Sequence, residues 1–127
     1  MHVGADHMTQ TQFVAYRDQI LKELDDALIG PIGPYLVLDL SVNDFGGFKR
    51  YIAEIPAFIA KHSGKYIVQG VRPTTIEGDW TPERMVIIEF PERKKAEAFL
   101  SDPDIQDLFE LRHDTTTSKL VLVDGCT

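Results

Sequence analysis

Cysteine is nearly absent from this chain of 127 residues, in which Cys126 is the single thiol. One cysteine excludes an intramolecular disulfide and any zinc site built on paired cysteines. A thiol so close to the C-terminus lacks the fixed position and the neighbouring base of a catalytic nucleophile. The chain is long enough to be stabilised by an apolar core alone. Its cysteine usage predicts a reducing environment, and we expect a cytoplasmic location.

Positive charge is also scarce, because 13 lysines and arginines stand against 20 aspartates and glutamates, for a net charge of −7. Nucleic acids and anionic membranes are bound through basic surfaces, so neither is an expected partner. No apolar run has the length of a membrane span or of a signal sequence. The composition is therefore that of one soluble globular domain.

Hydrophobic periodicity predicts helices and strands over nearly the whole chain. An N-terminal helix and linker cover residues 9–33, and residues 34–127 form the main domain, whereas residues 1–8 show no periodicity and are predicted to be disordered. The predicted elements are a helix at 9–28, a strand at 35–42, a helix with its apolar stripe at 48–59, strands at 64–70 and 85–90, helical segments at 91–100 and 103–113, and a strand at 119–123.

Capping and turn residues set the expected ends of the helices. Thr9 and Gln12 have the spacing of a capping box at the start of the first helix. Asn43 or Asp44 is expected to cap the second helix after a loop at Gly46 and Gly47. Gly64 is expected to end that helix, and Asp102, before Pro103, is expected to cap the last helical segment.

After the N-terminal helix the order of elements is β-α-β-β-α-β, which is the order of a ferredoxin-like α+β domain. Helices cover only one face of such a sheet. The strands place apolar side chains on the other face as well, among them Tyr35, Val37, Met85 and Ile87. Such a face is too apolar to be left in water. A second copy of the same sheet is the simplest cover, so we expect a homodimer.

Several short motifs resemble the family of small proteins catalogued as "domain of unknown function 1330". The resemblance runs from Tyr35 to Gly125, and it includes GKYIVQG at 64–70, EGDW at 77–80, EFP at 89–91, Ser101 with Pro103, Arg112, and LVLVDG at 120–125. It implies a ferredoxin-like protomer that forms a dimeric α/β barrel, in which two sheets face each other. The wider group with this barrel includes cofactor-free monooxygenases, lactone isomerases and haem-degrading enzymes.

Two carboxylates lie within apolar strands, Asp39 in the first strand and Glu89 in the third. Strand alternation places each of them on the face opposite the helices. Two carboxylates that share a poorly solvated site hold a proton between them and serve as a general acid or base near neutral pH. Asp39 and Glu89 are therefore the candidate catalytic residues. The alternative is a network at the dimer interface, in which each carboxylate meets an arginine or a backbone N–H.

Three arginines and one tryptophan complete the candidate site. Arg84, Arg112 and Arg72 are candidate ligand-binding residues, because arginine binds carboxylates through two parallel hydrogen bonds. Trp80, in the turn between the two hairpin strands, is a candidate wall of the pocket or a plug at the open end of the barrel.

These residues predict a small-molecule site in the barrel, with a small organic acid or an aromatic compound as ligand. A cofactor-free enzyme of the monooxygenase or isomerase kind is the expected function, and no metal or cofactor is expected. The alternative is a homodimer that binds a ligand without catalysis or that is purely structural.

Overall fold

Four β-strands and four α-helices make up the described part of the chain, which is residues 9–27 and 32–126 of a computed structural model. The elements are α1 (Gln10–Ala27), β1 (Tyr35–Val42), α2 (Phe45–Lys61), β2 (Lys65–Val71), β3 (Arg84–Glu89), α3 (Arg93–Ser101), α4 (Gln106–Thr115) and β4 (Thr116–Val123). Two units are formed, residues 1–30 and residues 31–127. The predicted disordered segment at 1–8 lies outside the described residues.

The N-terminal helix α1 begins with the predicted capping box. The backbone N–H of Thr9 donates to Gln12 Oε1 over 2.9 Å, and the N–H of Gln12 donates to Thr9 Oγ1 over 3.1 Å. These reciprocal bonds satisfy two of the N–H groups that a helix start leaves without partners. The helix prediction is confirmed over Gln10–Ala27.

The four strands form one antiparallel sheet in the order β2-β3-β1-β4. This order confirms the ferredoxin-like α+β fold. Leu38 of β1 pairs with Val86 of β3 and with Leu120 of β4, so these three side chains share the face that the helices cover. The neighbouring positions, Val37 and Val121 among them, belong to the opposite face, which we call the open face.

The core lies between the sheet and helices α2, α3 and α4. Its fully or nearly fully buried members come from all of these elements: Leu36, Leu38, Leu40, Phe48, Ile55, Ile59, Ile88, Phe90, Ala96, Phe99, Ile105 and Leu108. The predicted alternation of β1 is thereby confirmed, and so is the predicted apolar stripe of α2 except for Ile52, which is 47% exposed.

The second helix starts earlier than the sequence suggested. Gly46 and Gly47 were expected in a loop, but α2 begins at Phe45 and includes both. Asp44 is the N-cap, and its Oδ1 accepts a hydrogen bond of 3.0 Å from the N–H of Gly47. This hydrogen bond stabilises a helical first turn that contains both glycines, so the helix begins before them and not after them.

The end of α2 also differs, because Gly64 is not the residue with left-handed backbone geometry. Ser63 has that geometry, with φ of 65°, and His62 is the C-cap. Glycine at position 64 serves packing instead. A Cβ there would lie 2.8 Å from Phe90 Cε1 and 2.9 Å from Ile59 Cγ2, closer than van der Waals contact allows.

The predicted cap at Asp102 is wrong as well, because α4 begins only at Gln106. The carboxylate of Asp102 is buried and accepts hydrogen bonds of 2.7 Å from Lys61 Nζ and 2.9 Å from the N–H of Asp104, with His62 Nε2 also 2.7 Å away. The bond from Lys61 is the largest cause that holds the pKa of Asp102 below its usual range. Asp102 therefore ties the end of α2 to the turn between α3 and α4.

Candidate functional site

A loop at residues 72–83 joins β2 to β3 and contacts the open face of the sheet. Trp80 Nε1 in this loop donates a hydrogen bond of 2.7 Å to Asp39 Oδ2 on the central strand β1. The loop is braced from within, because Thr75 Oγ1 donates to the carbonyl oxygen of Trp80 over 2.7 Å. Two residues that the sequence proposed separately for the site are thus brought together.

A cavity of about 540 Å³ lies beside this hydrogen bond. Val37 and Val121 form its apolar floor, and its polar margin consists of Asp39, Asp79, Trp80 and Lys119. Lys119 is the cross-strand neighbour of Asp39 in the β1–β4 pair. Within residues 9–27 and 32–126, the ammonium group of Lys119 makes no ion pair, so it is free to meet a negatively charged ligand.

A smaller, more polar pocket of about 180 Å³ adjoins the first one. It shares Asp39, Trp80 and Lys119 with the larger cavity and adds the hydroxyl-bearing residues Ser41 and Thr117. The two pockets together offer an apolar compartment and a hydroxyl-lined compartment on either side of Asp39. Such a site suits a molecule with an apolar body and a polar end.

The sequence missed Lys119, Ser41 and Thr117 as site residues. Strand alternation did indicate which face Lys119 occupies. Lys119 and Val121 alternate with the apolar Leu120 and Leu122 in β4, as Asp39 alternates with Leu38 in β1. What the sequence did not show was that β4 pairs with β1 in the register that sets Lys119 opposite Asp39.

Glu89 does not share this site within one protomer. The register of β1 and β3 sets Glu89 opposite Tyr35, whereas Asp39 stands opposite Met85. Four strand residues separate the two carboxylates, a distance on the order of 13 Å along the sheet. The expected carboxylate pair is therefore absent from the protomer, because the antiparallel register places its members at opposite ends of the open face.

The surroundings of Glu89 are those of a paired surface carboxylate. Lys65 Nζ lies 3.3 Å from Glu89 Oε1. A hydrogen bond with Glu89 is the main cause that raises the pKa of the Tyr35 hydroxyl. The interface network proposed as the alternative to catalysis expected an arginine or a backbone N–H beside Glu89, and the structure has Lys65 and Tyr35 there.

The arginines proposed for the site do not join Asp39 either. Arg84 pairs with Leu40, whose side chain is buried on the helix-covered face, so Arg84 lies on that face too. Arg72 is exposed at the start of the loop, and it makes no hydrogen bond or ion pair with any residue the structure describes.

Arg112 is buried in the helical layer, with only 5% of its surface exposed. Its guanidinium lies over the ring of Phe109, 5.2 Å from the centroid, and Nη1 donates to Tyr51 Oη over 3.2 Å. Its Nε has no hydrogen-bond partner among the described residues. The aromatic faces stabilise this cation and tie α4 to α2.

The described residues contain no group of three His, Cys, Asp or Glu side chains arranged to hold a metal ion. Among them there is also no helix with the length and apolar character needed to cross a membrane.

Comparison with known proteins identifies relatives in sequence and in fold. A family model described as "Domain of unknown function (DUF1330)" matches residues 34–126. No curated protein matches the chain. The crystal structure of RPA0582, a protein of unknown function from Rhodopseudomonas palustris, is similar with a TM-score of 0.63 and 15% identity, over 94% of this chain and 95% of that one.

A second solved structure resembles the chain less closely. SnoaB, a cofactor-independent oxygenase from Streptomyces nogalater, has a TM-score of 0.52 and 15% identity, over 77% of this chain and 96% of that one. At this level of identity the likeness shows the fold, which is the protomer fold of the dimeric α/β barrel proteins.

Proposed function

The chain belongs to the DUF1330 family, and from that premise we propose that it is a homodimer whose open sheet face holds a small molecule between Asp39, Trp80 and Lys119. The observation that carries the proposal is the hydrogen bond from Trp80 to Asp39 at the margin of the cavity. It fixes a carboxylate and an aromatic wall beside a space that the ammonium-bearing Lys119 also lines.

The apolar character of the open face supports the dimer. Val121 and Val123 are 54% and 46% exposed, and Val37 and Ile87 beside them are only half-buried. Two such sheets face each other in the dimeric barrels that this fold forms. A second copy would cover these side chains and close the cavity against water, which strengthens electrostatic interactions within it. The single cysteine favours a reducing, cytoplasmic setting for this dimer.

The chemistry that suits the site is proton transfer without a cofactor. Asp39 accepts a proton from an acidic C–H or O–H group of the ligand, and Lys119 stabilises the anion that forms. Trp80 orients Asp39 through its indole N–H and packs its ring against the ligand. The expected ligand is an aromatic compound or a small organic acid, since the floor of the cavity is apolar and Lys119 at its margin is positively charged.

The similarity of fold to SnoaB, a cofactor-independent oxygenase, supports an activity of this kind. Removal of a proton from carbon or oxygen begins both isomerisation and cofactor-free oxygenation, so one site of this composition serves either outcome. Glu89, held by Lys65 at the far end of the face, takes no part in this proposal.

A test is the exchange of an activated C–H group in heavy water. The probe is 2-tetralone, an aromatic ketone whose benzylic hydrogens exchange slowly in buffer, and deuterium uptake is followed by NMR. We expect the protein to accelerate uptake, and we expect Asp39→Asn to abolish the acceleration. Lys119→Gln should reduce it by about tenfold or more, as loss of one stabilising charge does. Asp114→Asn, an exposed substitution on α4, is the matched control.

Trp80 is the only tryptophan, so its fluorescence reports binding at the site separately from exchange. Binding of 2-tetralone without accelerated exchange would refute the catalytic part and support the non-catalytic ligand-binding alternative. Neither binding nor exchange, together with a monomeric mass, would refute the proposal as a whole.

A further inference from the structure

A second cavity lies on the opposite side of the sheet, beneath the N-terminal half of α2. Its volume is about 300 Å³. Phe48, Ile52 and Ile55 of α2 form one wall, and Tyr66 and Val86 of the sheet form the other. It shares no lining residue with the cavity at Asp39, and the sheet separates the two.

An irregular stretch of β2 contributes polar groups to this cavity. The pairing of β2 with β3 shifts register between Gln69 and Val71, and Gly70 between them has φ of 69°. Such a bulge redirects the chain and frees backbone groups from the ladder. The carbonyl oxygen of Gly70 accepts a hydrogen bond of 3.2 Å from Arg84 Nη1. This bond fixes the guanidinium at the edge of the cavity.

Arg84 keeps most of its hydrogen-bonding capacity unused. A guanidinium has five N–H donors, and this one makes a single hydrogen bond and no ion pair with any residue in 9–27 or 32–126. Tyr66 also lines the cavity, and it carries a hydroxyl group. Burial raises its pKa to about 12, so at neutral pH it keeps its proton and is able to donate.

The cavity is open to solvent at one side. Phe45 and Ile52 line it, and they are 54% and 47% exposed, unusually high values for apolar side chains beside an enclosed space. A ligand that enters here would cover both. The space is sufficient for one aromatic ring and a short substituent, because a cavity of about 150 Å³ already takes benzene.

We propose that this cavity is a second binding site, which takes a small apolar carboxylate with its hydrocarbon part against Phe48, Ile52 and Ile55 and its carboxylate on Arg84. Charge complementarity carries the assignment. Arg84 is the one charged residue among those that line the cavity, it has no carboxylate partner in the described chain, and the fork of a guanidinium matches a carboxylate. The proposal does not depend on the function of the Asp39 site.

The test uses phenylacetate and its uncharged analogue phenylacetamide as probes on the full chain. Amide shift changes in nitrogen-15 NMR spectra locate the binding. We expect phenylacetate to bind with a Kd of about 1 mM, which a ligand of about ten heavy atoms reaches at ordinary efficiency. The shifts should centre on Gln69, Gly70 and Arg84. The amide should bind about tenfold more weakly, because it lacks the charge that Arg84 recognises.

Three variants test which residues bind the probe. Arg84→Gln should weaken phenylacetate binding by about tenfold and leave phenylacetamide binding unchanged. Arg72→Gln, an equal change of charge at an exposed residue three positions after Gln69, is the matched control and should have little effect. Ile52→Trp, at a half-exposed position on the cavity wall, should block both probes without disturbing the core.

Equal binding of acid and amide, or equal effects of Arg84→Gln and Arg72→Gln, would overturn the role of Arg84. Shifts centred on Val37 and Val121, with none at Gln69, Gly70 and Arg84, would place the probe in the Asp39 cavity alone and refute the second site. Absence of any shift would refute it too. Asp39→Asn should leave phenylacetate binding unchanged, so failure of this proposal is distinguishable from failure of the proposed function.

Discussion

Trp80 Nε1 and Asp39 Oδ2 are joined by a hydrogen bond of 2.7 Å that links a loop to the central strand across 41 positions of sequence. The bond has two consequences. It fixes the direction of the carboxylate, and it holds the loop at residues 72–83 against the open face. Both depend on the indole N–H, since a phenyl ring has the same apolar character but no donor.

Replacement of Trp80 by phenylalanine should therefore loosen the loop without unfolding the domain. One hydrogen bond to a partly exposed carboxylate contributes about 1 kcal/mol. We expect faster amide hydrogen exchange at residues 74–81 and weaker binding of 2-tetralone, followed by NMR because the variant has no tryptophan. A double-mutant cycle with Asp39→Asn gives the coupling between the two side chains. Strictly additive effects would show that the two residues do not act together.

Replacement of Val121 by glutamate should disrupt the homodimer. The valine is 54% exposed on the open face, and a stable interface there would bury more than about 1,000 Å². A buried glutamate facing its symmetry mate would lose solvation and gain repulsion. Light scattering should change from a dimer mass to a monomer mass. Lys94→Glu, on the exposed side of α3, should leave the mass unchanged, and a monomeric wild type would contradict the prediction.

Stability should fall in acid because of Asp102. Its pKa in the folded protein lies below the value of about 4 expected in the unfolded chain, chiefly through the hydrogen bond from Lys61. A depressed pKa stabilises the fold above about pH 4, and this contribution is lost as the pH falls through the folded value. Asp102→Asn should lower the melting temperature at pH 7 and flatten its dependence on pH below about 4.

The control for Asp102 is Asp104→Asn, because Asp104 is 73% exposed and lies 3.7 Å from the same lysine. Exposed ion pairs contribute little, so this variant should melt close to wild type. Equal losses in the two variants would show that the buried position of Asp102 is not what matters.

Replacement of Gly64 by alanine should destabilise the domain by about 1–3 kcal/mol, since the new methyl group would overlap the buried ring of Phe90 and Ile59. Gly46→Ala is the opposite case. It lies in the first turn of α2 with nothing closer than 3.7 Å to its Cβ, so alanine should stabilise the helix by up to about 1 kcal/mol. Denaturant unfolding measures both, and a neutral Gly64→Ala would contradict the packing argument.

Much of the fold was predictable because its signals are local. Alternation in β1, the stripe of α2 and the capping box at Thr9 and Gln12 each depend on residues a few positions apart. Local signals failed at positions where a residue suited to capping a helix is instead used in a contact with a distant part of the chain. Gly64 and Asp102 have the chemistry of caps, but close packing against Phe90 and hydrogen bonds from Lys61 decide their roles.

The sequence by itself determined the α+β order of elements, the apolar open face and the list of polar residues able to act on a ligand. Only the tertiary structure decided which of them meet. Antiparallel register set Lys119 opposite Asp39 and moved Glu89 to the far end of the face, and the loop carried Trp80 to Asp39. Register and loop path arise from contacts between residues far apart in sequence, so no local pattern contains them.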